Sequence, residues 1–304
     1  MALFDIYLTV DWSAAGRPKT GKDSIWLASC VRKGRQVSEG ILENPPTRQA
    51  AWARLHALLR DAVNQGRRVL VGMDFSFGYA AGMAAALCSP GAAPPWRRVW
   101  DAVSAGFEDD AENRNNRFKL AGALNQQASP GPGPFWGRPH THRYDALPAK
   151  RPLFPVPVDG YSLAEYRLVE QRLRARRHYV QSTWKLMGAG SVGGQALAGI
   201  PYVQRLRDDP ILSPHAAVWP FETDFERGLA SPPRPLVLFA EVWPALPGVD
   251  YTVHPVRDAA QVLGLSRALA ACDLRGDMLA RLAAPGDLSP AQREMCVREE
   301  GWIL

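Results

Sequence analysis

Four carboxylates stand where apolar runs stop or start: Asp11, Asp74, Glu241 and Asp258. The first three follow strand-like runs, Ile6-Tyr7-Leu8-Thr9-Val10, Val69-Leu70-Val71-Gly72-Met73 and Leu236-Val237-Leu238-Phe239-Ala240. Asp258 opens a helical pattern. If the three strands are neighbours, their acids converge beyond the carboxyl ends, where α/β sheets bind ligands. Clustered carboxylates repel one another unless a cation neutralises them, and hard oxygen ligands suit Mg2+ or Mn2+. Two such ions about 4 Å apart can activate a water and stabilise a leaving oxygen in phosphodiester cleavage. On this reading all four acids are catalytic, Asp11, Asp74 and Asp258 as metal ligands and Glu241 as a fourth or supporting acid. The plainer alternative makes Asp11 and Asp74 loop caps, Asp258 a first-turn helix acid and Glu241 a solvent-facing residue.

Several other residues could meet a phosphate. Asp11-Trp12-Ser13-Ala14-Ala15-Gly16 and Asp74-Phe75-Ser76-Phe77-Gly78 are two similar small-residue loops, which makes Ser13 and Ser76 candidates. Arg17, Lys19 and Lys22 supply charge nearby. Gly188-Ala189-Gly190-Ser191-Val192-Gly193 fits the GxGxxG pattern but follows a poor strand. It reads as a structural turn or as a loop turning its N–H groups, at Gly188, Gly190 and Ser191, toward a phosphate with Lys185 beside it. His140 and His142 form an HxH pair with no Cys or third His nearby in sequence. Trp96, Trp100, Trp136 and Trp184 lie near basic residues, as base stacking or core packing would need. There is no Walker A loop, nucleophile elbow or HExxH.

The elements that must position these residues follow from periodicity. Residues 4–10, 24–31 and 35–42 read as a three-stranded antiparallel meander. Thr47 caps a helix whose apolar spacing runs from Trp52 to Val63 and stops near Gly66. A doubly buried strand then leads to Asp74. Residues 75–234 read as a Pro-, Gly- and Arg-rich, mostly helical insertion. Helices are expected at 94–107 and 109–127, from a capping box at Ser162 to about Tyr179, and after the glycine loop through Leu206. The helix ending at Tyr179 carries Arg167, Arg172, Arg174, Arg176 and Arg177, a solvated face or a phosphate contact. The last part brings the Glu241 strand, the Asp258 helix through Cys272, and a short helix opened by Ser289 and Pro290. The chain thus divides into an α/β core, residues 1–74 and 235–304, and the insertion, residues 75–234.

Composition bounds the rest. The 304 residues are 46% hydrophobic and 22% charged, which is ordinary globular usage and excludes a disordered chain or a coiled coil. The net charge is +6, and 30 of the 36 basic residues are Arg. Such a balance permits a nucleic acid or another phosphate-containing partner without demanding one. Cys30, Cys88, Cys272 and Cys296 lack zinc spacing and read as reduced, buried thiols. The longest apolar run, residues 75–88, is shorter than the about 18–20 residues a bilayer requires, and Asp5 and Asp11 interrupt the N-terminal run. A cytoplasmic protein with no membrane partner is expected.

The order β-β-β-α-β, then a later strand and a helix bearing Asp258, resembles the RNase H fold. Val10-Asp11-Trp12-Ser13, Val71-Gly72-Met73-Asp74-Phe75-Ser76-Phe77-Gly78, Ala240-Glu241-Val242-Trp243-Pro244 and Arg257-Asp258-Ala259-Ala260 are similar to segments of domain-of-unknown-function family 429, described as predicted nucleases of that fold. Residues 185–193 resemble a branch of the family labelled as cobalamin or molybdopterin biosynthesis proteins. The resemblance covers the first ~80 residues and about 235–275. It implies metal ligands at Asp11, Asp74 and Asp258. The helix after the third strand offers only Asp61, near its end, where RNase H proper uses a glutamate; resolvase-type members take the acid from the fourth strand, as Asp74 would be. The expected function is a divalent-metal-dependent phosphoesterase, a nuclease. The alternatives are a non-catalytic nucleotide- or cofactor-binding protein on the same fold, or an actin-like nucleotide-dependent transferase. The last is disfavoured because only one such core is present.

Overall fold

The structure is a computed structural model that describes residues 2–87, 91–158, 160–188, 190–229, 231–244 and 250–304. Its centre is a six-stranded mixed sheet. The strands are β1 (Ile6–Asp11), β2 (Trp26–Lys33), β3 (Gln36–Glu43), β4 (Arg68–Met73), β7 (Ala216–Val218) and β8 (Leu236–Glu241), in the order β3-β2-β1-β4-β8-β7. The β1–β3 meander is antiparallel, and β4, β8 and β7 run parallel to β1. A separate hairpin pairs β5 (Val156–Val158) with β6 (Tyr161–Leu163). The helices are α1 (Arg48–Asn64), α2 (Met83–Leu87), α3 (Pro95–Gly106), α4 (Arg117–Ala128), α5 (Leu168–Ala175), α6 (Gly193–Arg207), α7 (Arg257–Arg275), α8 (Met278–Leu282) and α9 (Pro290–Met295). A π turn, Cys296–Glu300, follows α9. The α/β class and the meander-then-parallel order agree with the sequence reading.

The two-residue strand period sorts side chains onto two faces. Leu8 and Val10 join Val69, Val71 and Met73 beneath α1, through Leu55 and Leu59. Tyr7 joins Leu70, Leu238 and Ala240 beneath α7, through Leu265 and Leu269. Helix α7 runs antiparallel to β1. Asp273 near its end accepts the Phe4 N–H at 2.8 Å and the Tyr7 hydroxyl at 2.6 Å, and midway Thr9 Oγ1 donates to the Val262 carbonyl at 2.7 Å. Fifteen helical residues rise about 22 Å, and the seven strand steps from Phe4 to Asp11 span about 23 Å. Asp258 is therefore carried to the height of Asp11.

Residues 75–234 are not walled off from the sheet. They supply β7, and Trp96, Trp184 and Leu197 share one buried cluster with Leu8, Val10 and Leu55. Two expected helices differ. Residues 109–116 form a loop, because Asp110 accepts the N–H groups of Glu112 and Arg114 while Asn113, at φ +62°, accepts from Arg48 N; such side chains compete with helical hydrogen bonding. Ser162 pairs with Pro157 inside the β5–β6 hairpin, and the helix starts instead at Leu168, where Glu170 accepts the Arg167 N–H at 3.0 Å. It ends at Ala175, just before Arg177 at φ +64°.

Cys30, Cys272 and Cys296 are buried and free; Cys88 lies outside the described residues. Among the described residues no helix is long and apolar enough to cross a membrane. Trp96, Trp100 and Trp184 are core residues, and Trp136 is half-buried with Lys185 Nζ 5.9 Å from its ring centre.

Candidate acidic site

The parallel register brings Val10, Met73 and Glu241 into line across β1, β4 and β8. Asp11 and Asp74 therefore leave the same sheet edge, and the Asp74 N–H extends the ladder to the Val10 carbonyl at 2.9 Å. Counting by twos, Asp11 follows Tyr7 and Thr9, and Asp74 follows Leu70 and Gly72, so both belong to the α7 face, where Asp258 sits in the first helical turn. Each keeps some surface open to solvent, but surrounding protein strips most of its water. Burial, then the charges of Asp74, Asp258 and Asp23, pushes the Asp11 carboxyl well above the usual carboxylate range. Burial, then Glu241 and Asp258, does the same to Asp74. Among the described residues neither carboxylate accepts a hydrogen bond or pairs with a cation. Asp258 Oδ2 accepts the backbone N–H of Asp23 at 2.6 Å.

Asp23 is an acid the sequence reading missed. It sits at φ +54° in the turn before β2, with its own carboxylate exposed 3.5 Å from Lys19 Nζ. Nothing in an isolated Gly21-Lys22-Asp23-Ser24 turn says that it faces the strand end; only the β1–β2 pairing of Asp11 with Trp26 does.

Glu241 has a different role from the one expected. It shares its face with Val237 and Phe239, opposite Asp11 and Asp74. There it is 4% exposed and held by a buried arginine: Arg167 Nη1 donates to Oε2 at 2.8 Å and Nη2 to Oε1 at 2.6 Å, and the Phe77 N–H donates to Oε2 at 3.0 Å. Burial raises the Glu241 pKa against the opposing pull of Arg167. Arg167 is 1% exposed and is not part of a solvated arginine face. It also donates through Nε to Glu170 at 3.0 Å and through Nη1 to the Glu300 carbonyl at 2.9 Å. Burial alone would lower its pKa, but Glu241 and Glu170 outweigh that and keep it charged.

The loop after Asp74 is built on this network. Glu300 accepts the Ala81 N–H at 2.9 Å and Glu299 the Gly82 N–H at 2.7 Å. Ser76 is buried beneath Arg167, whose Nη2 lies 3.2 Å from its Oγ, so it faces the network and not an open phosphate site. A Cβ at Gly78 would collide with the carbonyls of Glu299 and Glu300, which only a backbone shift relieves. Gly78→Ala should therefore cost about 1–3 kcal/mol, read as a lower urea midpoint with an unchanged slope; an unchanged midpoint would show that the π turn yields freely.

The remaining candidates fall in two places. The loop after Asp11 is pinned by Arg48, whose Nη1 donates to the Ser13 and Ala15 carbonyls at 3.0 and 2.8 Å while Nε binds Asp109 at 2.6 Å. Ser13 Oγ accepts from Ala15 N at 3.2 Å, and Lys22 is exposed in the Asp23 turn. The glycine loop docks against this segment. Gly188 and Gly190 have φ of +104° and +67°, and Ser191 N closes a turn on the Gly188 carbonyl at 3.1 Å. Ala189 lies outside the described residues. Lys185 Nζ donates to Gln181 Oε1 at 3.0 Å. A Cβ at Gly193 would sit 2.7 Å from the Lys185 carbonyl, so that glycine serves close packing at the start of α6. Gln195 Nε2 then donates to the Trp12 carbonyl at 2.6 Å, and Trp12 Nε1 to the Ala198 carbonyl at 3.1 Å.

Asp11, Asp74 and Asp258 thus form an acidic cluster at the sheet edge with Asp23 at its rim, and Glu241 is ion-paired on the other face. Among the described residues no three His, Cys, Asp or Glu side chains stand close enough together to grip one ion as they are placed. The chain matches no protein-family model, no curated protein and no solved structure, so its site must be read from its own geometry.

Proposed function

We propose that this chain is a divalent-metal-dependent phosphoesterase, a nuclease, on an RNase H-like sheet. The observation that carries the reading is the convergence of Asp11, Asp74 and Asp258 at one sheet edge, with no cation among the described residues to neutralise Asp11 or Asp74. Desolvating like charges together is costly, and proteins offset that cost where a bound cation uses it. The donor set is all carboxylate oxygen, which suits Mg2+ or Mn2+ better than softer metals. Asp11, Asp74 and Asp258 would hold the ion, drawn inward from their present spacing. When bound, such an ion lowers the pKa of water and neutralises developing phosphate charge. The chain's own part is to hold three carboxylates on strand and helix ends, with the Glu241 carboxylate turned to Arg167 on the other face of the sheet. The antiparallel meander followed by parallel strands is the arrangement that the resemblance to RNase H folds and to family 429 implies, and it supports both.

Calorimetric titration with Mn2+, alongside cleavage of single-stranded and branched DNA and RNA in Mg2+ or Mn2+, tests this. Wild type should bind the ion and cleave only in its presence. Failure of wild type to bind either ion would sink the reading and leave these acids as loop and helix caps.

A further inference from the structure

A row of flat groups begins beside the loop that follows Asp11. It starts at Arg117, whose Nε lies 3.5 Å from where a Cβ on Gly194 would stand; Ala14, three residues beyond Asp11, is at the same distance. The Arg117 guanidinium lies 4.3 Å from the Phe118 ring centre. Phe118 meets Tyr144 at 5.6 Å with 33° between planes, and Tyr144 meets His142 at 6.3 Å with 27°. His142 is exposed, so the stack ends in an open imidazole face.

Charge follows the same line. Arg117 Nε is buried without an acceptor, and its Nη1 binds only the neutral Asn115 Oδ1 at 2.9 Å. Burial, then Arg48, lowers its pKa to about 10. Among the described residues Lys119 and Arg143 pair with no carboxylate, and Arg138 Nη1 donates to the Pro139 and His142 carbonyls. An orphaned guanidinium at the base of an aromatic stack, flanked by unpaired cations, is the combination that tracks a phosphate backbone while bases stack.

We infer that the Arg117–Phe118–Tyr144–His142 stack is the docking surface for a single-stranded nucleic acid approaching the acidic cluster. This rests on the phosphoesterase reading for its destination, although the surface itself binds without catalysis. A base lies on the open face of His142, and Arg143 takes a phosphate beside it. A duplex, whose bases are already stacked, gains nothing from the rings.

The test is fluorescence anisotropy with a labelled 20-nucleotide oligodeoxythymidylate in EDTA, where no cleavage can occur. Wild type should bind it, and tenfold or more tightly than a duplex of equal length. His142→Ala and Arg143→Gln, both at exposed positions, should each weaken binding about three- to tenfold, and the arginine variant should also flatten the salt dependence. Unchanged affinity in both variants, equal affinity for duplex, or no binding by wild type overturns the inference. Cleavage that persists with unchanged variant affinity would leave the phosphoesterase reading standing and overturn this surface alone. Binding lost in the variants, in a protein that never cleaves, would support the surface and sink that reading.

Discussion

Asp74→Asn should make the ion-free protein more stable at neutral pH while abolishing its response to divalent ions. Both effects have one cause. Asp74 is desolvated among Glu241, Asp258 and Asp11, and its carboxyl is raised above the value of an unfolded chain, about 3.9. The folded state therefore binds more protons than the unfolded state between that value and the raised one. Stability falls as pH climbs through this window, because the charged form suits the unfolded chain better. An amide of the same shape carries no charge to desolvate and donates to the neighbouring carboxylates. The gain should be about 0.5–2 kcal/mol, the usual size when a strained functional group is neutralised, or roughly 2–4 °C per kcal/mol. The variant's stability should also vary less between pH 4 and neutrality. Mg2+ or Mn2+ should raise the melting temperature of wild type but not of the variant, and cleavage should fall at least about 100-fold, beyond the loss typical of outer-shell partners. Thermal melts at pH 5 and 8, with and without the ion, read all of this. A variant less stable than wild type in EDTA at pH 8 would show that Asp74 is a cap the loop depends on.

What was legible in the chain follows from what each signal measures. The ends of β1, β4 and β8 were readable because buried parallel strands are continuous apolar runs with a charge at the stop. That Asp258 opens a helix was readable from periodicity; that this helix end lies level with Asp11 follows from the Asp273 and Thr9 hydrogen bonds of the folded chain. The face of each acid was not. Leu236 to Ala240 is apolar at every position, so no alternation reveals that Glu241 points away from Asp11 and Asp74. Arg167 reads in the sequence as one of five arginines on a helix that is a solvated face or a phosphate contact, because its partner is 74 residues away and the local pattern is polar. Ser162-Leu163-Ala164-Glu165 has the letters of a capping box, but the hairpin with Pro157 takes Ser162 into a strand. The cluster was legible as a set of strand ends; its division into an open acidic face and a buried ion pair required the pairing register.

Arg167→Leu should be the most damaging single change away from the acidic cluster. The guanidinium is the only cation bonded to Glu241 and Glu170 among the described residues, and all three side chains are almost wholly buried. A leucine fills much of the volume but leaves two carboxylates in low dielectric with only the Phe77 N–H, the Arg167-position N–H and the Thr183 hydroxyl as donors. Breaking a buried pair by removing one partner costs about 3–5 kcal/mol, because the surviving charge is uncompensated; here two survive. Without Arg167 the lowering influence on Glu241 is gone, so its carboxyl rises further above the unfolded value of about 4.3. The folded variant then holds protons the unfolded chain has released, and its stability falls as pH rises. The deficit against wild type should be smaller at pH 5 than at pH 8, as urea melts at the two values would show. Arg167→Lys keeps a charge without the fork that reaches both oxygens of Glu241, and should fall between the two. A loss of under about 1 kcal/mol, or one independent of pH, would mean that water or rearrangement reaches these carboxylates and that the loop after Asp74 does not depend on the arginine.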